Sequence, residues 1–491
     1  MNKPEFDITY SQLPPQLYAH TKPDPAPNAA YVWLNNSWAR SIGLDPAWLG
    51  SDEALGMFSG IQDIEEDYAP LAMAYSGHQF GHFSAQLGDG RALLIGEFVD
   101  SDATRYDLHL KGSGSTVYSR RGDGKSTLRA ALKETLFSEY MAAIGISTTR
   151  TLAVFETGET VIRDKAHKGA VLLRAAKSLI RVGTFEFADI MKGADIVEKL
   201  ADFLIVREYA DIDIEADDRH QQLFGQIVSR QAELIGKWMS QGFIHGVMNS
   251  DNMALSGETI DFGPCAFMER FKPNQVFSSI DQNGRYAWNR QAEMAMWNLS
   301  KLAESLLDLF DENQEAAIQI AEDELSKFFP QFMMHFNQFV MRKLGLSIEG
   351  EQAEDMMSQT FAMLSTAKPD YTLFFRYLGD VLTGEDESLL VALCADEQPL
   401  QSWLSVWRRH IENEAITTTE IAKNIQQINP IYVPRFRLVE RALEQAGNGD
   451  LAAFKHLLKA LQDPYIEAVE FADYLFVAAD DDADEQTFCE T

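Results

Sequence analysis

HGVMNSDNMALSGETIDFGP, residues 245–264, breaks an otherwise helical half of the chain, and its reading decides the fold. A polar hairpin set between helices has backbone groups that neighbours must satisfy, and such rigidly framed loops are where binding and catalytic residues concentrate. Asp261-Phe262-Gly263 follows the strand-like Gly257-Glu258-Thr259-Ile260, and Asp251-Asn252 precedes it in the same loop. A hairpin here brings Asp251, Asn252 and Asp261 within reach of one ion. Two carboxylates and an amide supply the hard oxygens that Mg²⁺ prefers, with positions left for water and phosphate.

Outward from this hairpin, residues 196–209, 220–241 and 292–310 repeat their apolar side chains at spacings of three and four, which predicts helices. Residues 321–478 continue in the same style, rich in Met and Phe and without a repeat period, and read as a C-terminal helical extension. An acidic tail over 479–491 closes the chain, with Asp480, Asp481, Asp482, Asp484 and Glu485 ahead of Cys489. Toward the N-terminus, RALLIGEFVD (91–100) and RYDLHLKG (105–112) read as an antiparallel pair. In 125–145, Leu128, Leu132, Leu136 and Tyr140 mark one face of a helix ending near Gly145. Two strands flanking Gly158 and a third over GAVLLRAAKS (169–178) complete a sheet unit over 66–180. Residues 1–65, with five prolines between 14 and 27, read as an irregular N-terminal wrap carrying helical patches such as 31–42. The expectation is an α+β fold of two lobes, 66–180 and 181–320, the hairpin belonging to the second.

Lys111 ends the strand LHLK, and Glu134 lies on the following helix, off its leucine face. A strand lysine paired with a helix glutamate is how protein kinases orient ATP phosphates; otherwise Lys111 is a solvated charge at a strand end. Gly88, Gly90 and Arg91 form a turn that lets backbone approach phosphate beside a forked donor. Asp123 and Gly124 lie in a second glycine cluster, RRGDGKS (120–126), at a helix start suited to anions. Its Gly124-Lys125-Ser126 imitates a P-loop, but Ser119 stands where the first P-loop glycine belongs. Arg174 and Arg181 are further cations for an anion, or else salt-bridge partners. His78 and His82 have a zinc-helix spacing without its intervening Glu or a third ligand, and two glycines disfavour the helix; positioning within a loop fits them better. Ser113 and Ser115 do not form a nucleophile elbow.

Forty-two basic residues against 74 acidic ones give a net charge of -32, a field that repels nucleic acid and anionic membranes. No basic-then-apolar leader and no run of 18 apolar residues is present, so a cytoplasmic protein is expected, without membrane partners. Three cysteines without CxxC spacing indicate neither a disulfide framework nor a zinc site.

SGHQFGHFSAQLGDGRALLIGE, LHLKGSG, RRGDGKSTLRAALKE, IHGVMNSDNM, TIDFGP and GRYAWNRQAEMAMWNLSKLAE occur in the order found in the selenoprotein O (SelO/YdiU) family, which the chain resembles over about residues 65–310. The resemblance implies a protein-kinase-like fold and transfer of AMP from ATP to Ser, Thr or Tyr hydroxyls of target proteins, with Mg²⁺ or Mn²⁺, and also of UMP from UTP with Mn²⁺. It implies that Gly88, Gly90, Arg91, Lys111, Asp123, Gly124, Arg174, Arg181 and Asp261 contact the nucleotide, that Glu134 pairs with Lys111, that Asn252 and Asp261 bind metal, and that Asp251 accepts the proton. It further implies a redox residue near the C-terminus, here Cys489, with Cys265 its candidate partner. The alternatives are an ATP-binding pseudokinase scaffold and a γ-phosphoryl protein kinase. Against the kinase, the HRDxxxxN loop is missing: Gly246 follows His245, and Asp251 and Asn252 are adjacent.

Overall fold

The computed structural model describes residues 3–62, 69–191, 194–384, 387–475 and Thr487. Its sheet is built from β1 (Tyr18–His20), β2 (Ala30–Leu34), β3 (Leu71–Met73), β6 (Ala92–Val99), β7 (Arg105–Lys111), β8 (Ser126–Thr127), β9 (Arg150–Ile162) and β10 (Ala166–Ala176). A separate hairpin comprises β4 (Gly77–Gln79) and β5 (His82–Ser84). The sheet order is β1-β3-β6-β7-β10-β9-β2, with β8 also on β10, and every pairing is antiparallel. Helices dominate from Val182 onward, so the chain is mixed α/β in the α+β sense.

Register places the chemistry. Arg174 on β10 lies opposite His109 on β7, and Lys111 is two residues further along β7. Residues opposite one another, and residues two apart, share a face of a sheet, so His109, Lys111 and Arg174 project together. Against that face packs the helix Leu128–Ala143, capped at its start by the Thr127 hydroxyl on the Ala130 amide, 3.1 Å, with the expected Leu128, Leu132, Leu136 and Tyr140 all buried. Gly145, at φ 74°, ends it.

Two local readings are corrected. The stretch Tyr31–Leu34 is strand, because it pairs with β9 as an edge of the sheet; helix begins only at Asn36. With β1 at the opposite edge, the N-terminal segment supplies one short strand to each edge of the sheet. The two strands expected around Gly158 are one, β9, because Gly158 at φ 76° makes a bulge where the β9–β10 register skips, not a reversal.

The C-terminal helices return to this unit. Arg129 donates to Glu440, and the Gln462 amide reaches Glu139 at 3.1 Å, so the helices Phe436–Gly447 and Ala452–Gln462 brace the helix that carries Glu134. Among the described residues no helix is long and apolar enough to cross a membrane. The acidic run 480–485 and Cys489 lie outside the described residues.

Between the sheet and the helix Val182–Ile190, the connection is held by buried carboxylates. Lys177 N–H donates to Glu258 at 2.9 Å and Leu179 N–H to Asp107 at 3.0 Å. Burial pushes the Glu258 carboxyl up to about 7, against the pull of the Ser256 hydroxyl and Lys177. The folded state therefore holds this proton more tightly than the unfolded chain, whose glutamate titrates near ~4.3. Its contribution worsens as pH rises from about 4 to 7 and stays unfavourable above. Glu258→Gln, which keeps an oxygen for both donors, is expected to raise the melting temperature at pH 8 and leave it unchanged at pH 4. Equal shifts at both values, measured by calorimetry, would show Glu258 to be ionised in the fold.

Candidate functional site

All twelve site residues expected from the sequence line one cleft of about 1010 Å³: Gly88, Gly90, Arg91, Lys111, Asp123, Gly124, Glu134, Arg174, Arg181, Asp251, Asn252 and Asp261. At its centre Asp261 has a φ of 62°, a left-handed backbone that few non-glycine residues adopt. Three cations surround its carboxylate. Lys111 Nζ lies 2.7 Å and Arg174 Nη1 2.8 Å from Oδ1, and Arg181 Nη1 lies 2.9 Å from Oδ2. Burial alone would raise this carboxyl; Lys111, Arg174 and Arg181 outweigh it and hold the group well below the usual carboxylate range.

Glu134 completes the core by dividing its oxygens, Oε2 to Lys111 at 2.6 Å and Oε1 to Arg174 at 2.9 Å. Burial opposes its ionisation too, and Lys111 and Arg174 prevail, so its carboxyl is lowered. The lysine–glutamate pair read from the sequence is therefore present, and Arg174 makes it a four-membered network with Asp261.

Arg174 is in turn fixed by a pair that the sequence reading passed over. Arg174 Nε donates to His109 Nδ1, 3.2 Å, which leaves His109 Nε2 to donate to Asp89 Oδ2, 3.1 Å. Since an arginine always donates, this chain requires neutral His109, in agreement with burial lowering its pKa. Asp89 also accepts from Met73 N–H at 3.1 Å and so ties the Gly88–Gly90 turn to the sheet. In that turn a side chain at Gly88, φ 82°, would meet the Tyr118 ring at 2.4 Å. Glycine is demanded both by conformation and by contact.

The second glycine cluster is positioned by another unread residue. Arg163, from the β9–β10 connection, forms a fork on Asp123, with Nη1 to Oδ2 and Nη2 to Oδ1 both at 2.9 Å, and lowers its carboxyl through those bonds.

The loop ahead of Asp261 supplies Asp251 and Asn252 from a single 3-10 turn, Ser250–Asn252. Arg181 Nη1 bridges the two halves, donating to the Asp251 carbonyl at 2.8 Å as well as to Asp261. Asp251 is buried, its Oδ1 has no hydrogen-bond partner among the described residues, and burial pushes its carboxyl up to about 6, with Arg181 opposing. Asn252 donates its amide nitrogen to Val247 O at 3.1 Å, so its carbonyl oxygen is the atom that could ligate a metal. The donor set fits a hard divalent cation: a carboxylate and an amide oxygen from the chain, with phosphate and water completing the shell.

His78 and His82 do not converge. They sit on paired strands, His78 inward with Nδ1 2.5 Å from Glu186 and His82 exposed at the turn. Cys265 is a fully buried free thiol pushed up to about 12 by burial. Its candidate partner Cys489 lies outside the described residues.

Residues 1–462 match the family described as protein adenylyltransferase SelO. The chain belongs to the SelO family. A protein nucleotidyltransferase YdiU of Bradyrhizobium sp. strain BTAi1 is 43% identical over 487 residues, covering 99% of both chains. Another of that name, from Bacillus thuringiensis strain Al Hakam, is 42% identical over 487 residues, 99% of this chain and 98% of its own. As a SelO-family member this chain is a nucleotidyltransferase.

Proposed function

We propose that this chain transfers AMP from ATP to Ser, Thr or Tyr hydroxyls of other proteins, releasing pyrophosphate, and that the cleft around Asp261 is where it does so. The observation that carries the reading is the convergence of Lys111, Arg174 and Arg181 on one carboxylate beside a second buried one, Asp251, that none of these three side chains bonds. In a chain of net charge -32, two buried arginines and a half-buried lysine gathered in one cleft favour a polyphosphate.

In this reading Gly88, Gly90, Arg91, Asp123 and Gly124 hold the nucleotide, and Lys111, Arg174 and Arg181 bind its phosphates. Asp261 and Asn252 would hold Mg²⁺ or Mn²⁺, which supplies charge neutralisation on the triphosphate. Asp251 takes the proton of the acceptor hydroxyl as its oxygen bonds to the α-phosphorus and the α–β bridging oxygen leaves with pyrophosphate. A carboxyl titrating near 6 is ionised at neutral pH and still basic enough for this. UMP transfer from UTP belongs to the same site. The sheet with its helix over 66–180 and the helical part over 181–320 form a kinase-like pair of lobes around the cleft, after an N-terminal segment 1–65 and before the extension 321–478 and tail 479–491. Its place is the cytoplasm, where its donor is.

Protein and metal are incubated with α-labelled and, separately, γ-labelled ATP in the presence of lysate proteins. Protein-bound label from the α position alone is the expected result. Label from the γ position would make the chain a kinase, and neither label would make it an ATP-binding scaffold.

A further inference from the structure

The hairpin β4–β5 lies at the mouth of the cleft and touches three successive residues of the Asp251 loop. Phe80 N–H donates to Asn249 Oδ1 at 3.1 Å, His78 N–H to Ser250 Oγ at 2.8 Å, and Gln79 Nε2 to Asp251 Oδ2 at 3.3 Å. Its turn is held in left-handed backbone at Phe80, φ 51°, and Gly81, φ 84°. The attachment is reinforced on both sides. Ser250 Oγ donates to Glu186 Oε2 at 2.5 Å, while Glu186 Oε1 lies 2.5 Å from His78 Nδ1, closing a ring of hairpin, loop and the helix Val182–Ile190. The Tyr286 hydroxyl donates to Asn249 Oδ1 at 2.6 Å. At Gly77 a Cβ would stand 2.7 Å from Asp251 Oδ1 and 2.9 Å from its Cβ, so the carboxylate packs directly on the hairpin backbone.

Gln79 is the side chain that donates to the Asp251 carboxylate among the described residues, and both line the cleft. An aspartate has one torsion, χ2, that decides which oxygen faces the substrate, and it is otherwise broad and two-fold. A donor on Oδ2, with Oδ1 packed against the hairpin backbone at Gly77, removes that freedom. We propose that Gln79 is a positioning residue for nucleotidyl transfer: its amide, bonded to Oδ2, orients the Asp251 carboxylate that receives the proton of the incoming hydroxyl. The hairpin thereby does for this base what the absent HRDxxxxN loop does in a kinase. This rests on Asp251 being the base.

Gln79 is half-buried on a hairpin, so Gln79→Leu, of similar size, removes the donor with little effect on packing. AMP transfer from α-labelled ATP to lysate proteins is measured at saturating ATP, alongside transfer to hydroxylamine, whose neutral nitrogen attacks phosphorus without a base and loses its proton to solvent afterwards. Gln79→Leu is expected to lower kcat for protein hydroxyls by about 10- to 100-fold, the usual range for groups that orient a reacting residue. KM for ATP and the hydroxylamine rate stay within about twofold of the parent. Gln79→Glu, which replaces the donor by a carboxylate, is expected to behave likewise, and serves should the leucine variant not fold. An unchanged kcat, or equal losses with both acceptors, or a rise in KM for ATP parallel to the loss, would overturn the proposal. Asp251→Ala is run beside them: full activity there would sink the base itself, whereas its loss together with normal Gln79 variants would sink only the role of Gln79.

Discussion

Asp261→Asn is expected to reduce AMP transfer from α-labelled ATP by 10²- to 10³-fold or more, the scale on which removal of a preorganised charge from a transition-state site acts. The side chain has two tasks, and the substitution removes both. It would be a metal ligand, and it is the anion on which Lys111, Arg174 and Arg181 converge. Without it, Glu134 still holds Lys111 and Arg174, while Arg181 is left with a longer ion pair to Asp89 at 3.9 Å. Breaking a buried ion cluster from one side costs about 3–5 kcal/mol. The variant is thus expected to melt at a lower temperature than the parent while remaining folded at 25 °C, because Arg181 keeps the Asp251 carbonyl and a ring contact with Tyr75, 4.6 Å from the centroid. Asparagine is chosen over alanine so that an oxygen stays at Arg181. Circular dichroism during heating separates the two effects: a folded protein with undiminished labelling would remove Asp261 from the centre of the site.

How far the sequence foretold this site depends on whether each contact is local or made by the sheet. Lys111 and Glu134 were legible because a strand-end lysine followed by an amphipathic helix is a local pattern, and the helix leucines fixed which way Glu134 did not point. Arg174 and Arg181 were legible only as cations. That Arg174 joins Lys111 follows from β10 lying beside β7, a pairing between segments some 65 residues apart, and Arg181, beyond β10, meets the Asp261 loop through a bridge to Ala254; periodicity encodes neither. His109 offered a faint signal, being two residues before Lys111 and hence on its face of the strand; its partner Asp89 was hidden in a turn read for its glycines. Arg163 and Gln79 gave none, since a lone arginine after a strand and a glutamine in a glycine-rich stretch have ordinary surface readings. The misreading of Tyr31–Leu34 has the same origin. Its side chains suit either helix or strand, and the exposed edge of β9 decides between them.

Asp251→Asn is expected to lower kcat by 10²- to 10⁴-fold while leaving KM for ATP near that of the parent. The magnitude is that of a lost general base, and asparagine has the shape of the aspartate without the lone-pair basicity. The sparing of KM follows from how residue 251 is tied in. Arg181 grips its backbone carbonyl and Asp261, not its side chain, so the hydrogen bonds of Lys111, Arg174 and Arg181 are not disturbed by the exchange. Folding is expected to improve slightly, because the carboxylate is buried, its Oδ1 has no hydrogen-bond partner among the described residues, and burial has pushed it up to about 6. An amide in that place carries no charge to desolvate. Steady-state labelling with α-labelled ATP over a range of concentrations gives both constants. A variant whose kcat is unchanged would mean that the hydroxyl gives its proton to water and that the burial of Asp251 serves packing. One whose KM rises in step with the loss would place Asp251 among the groups that bind ATP, and only a fall in kcat alone assigns it to the chemical step.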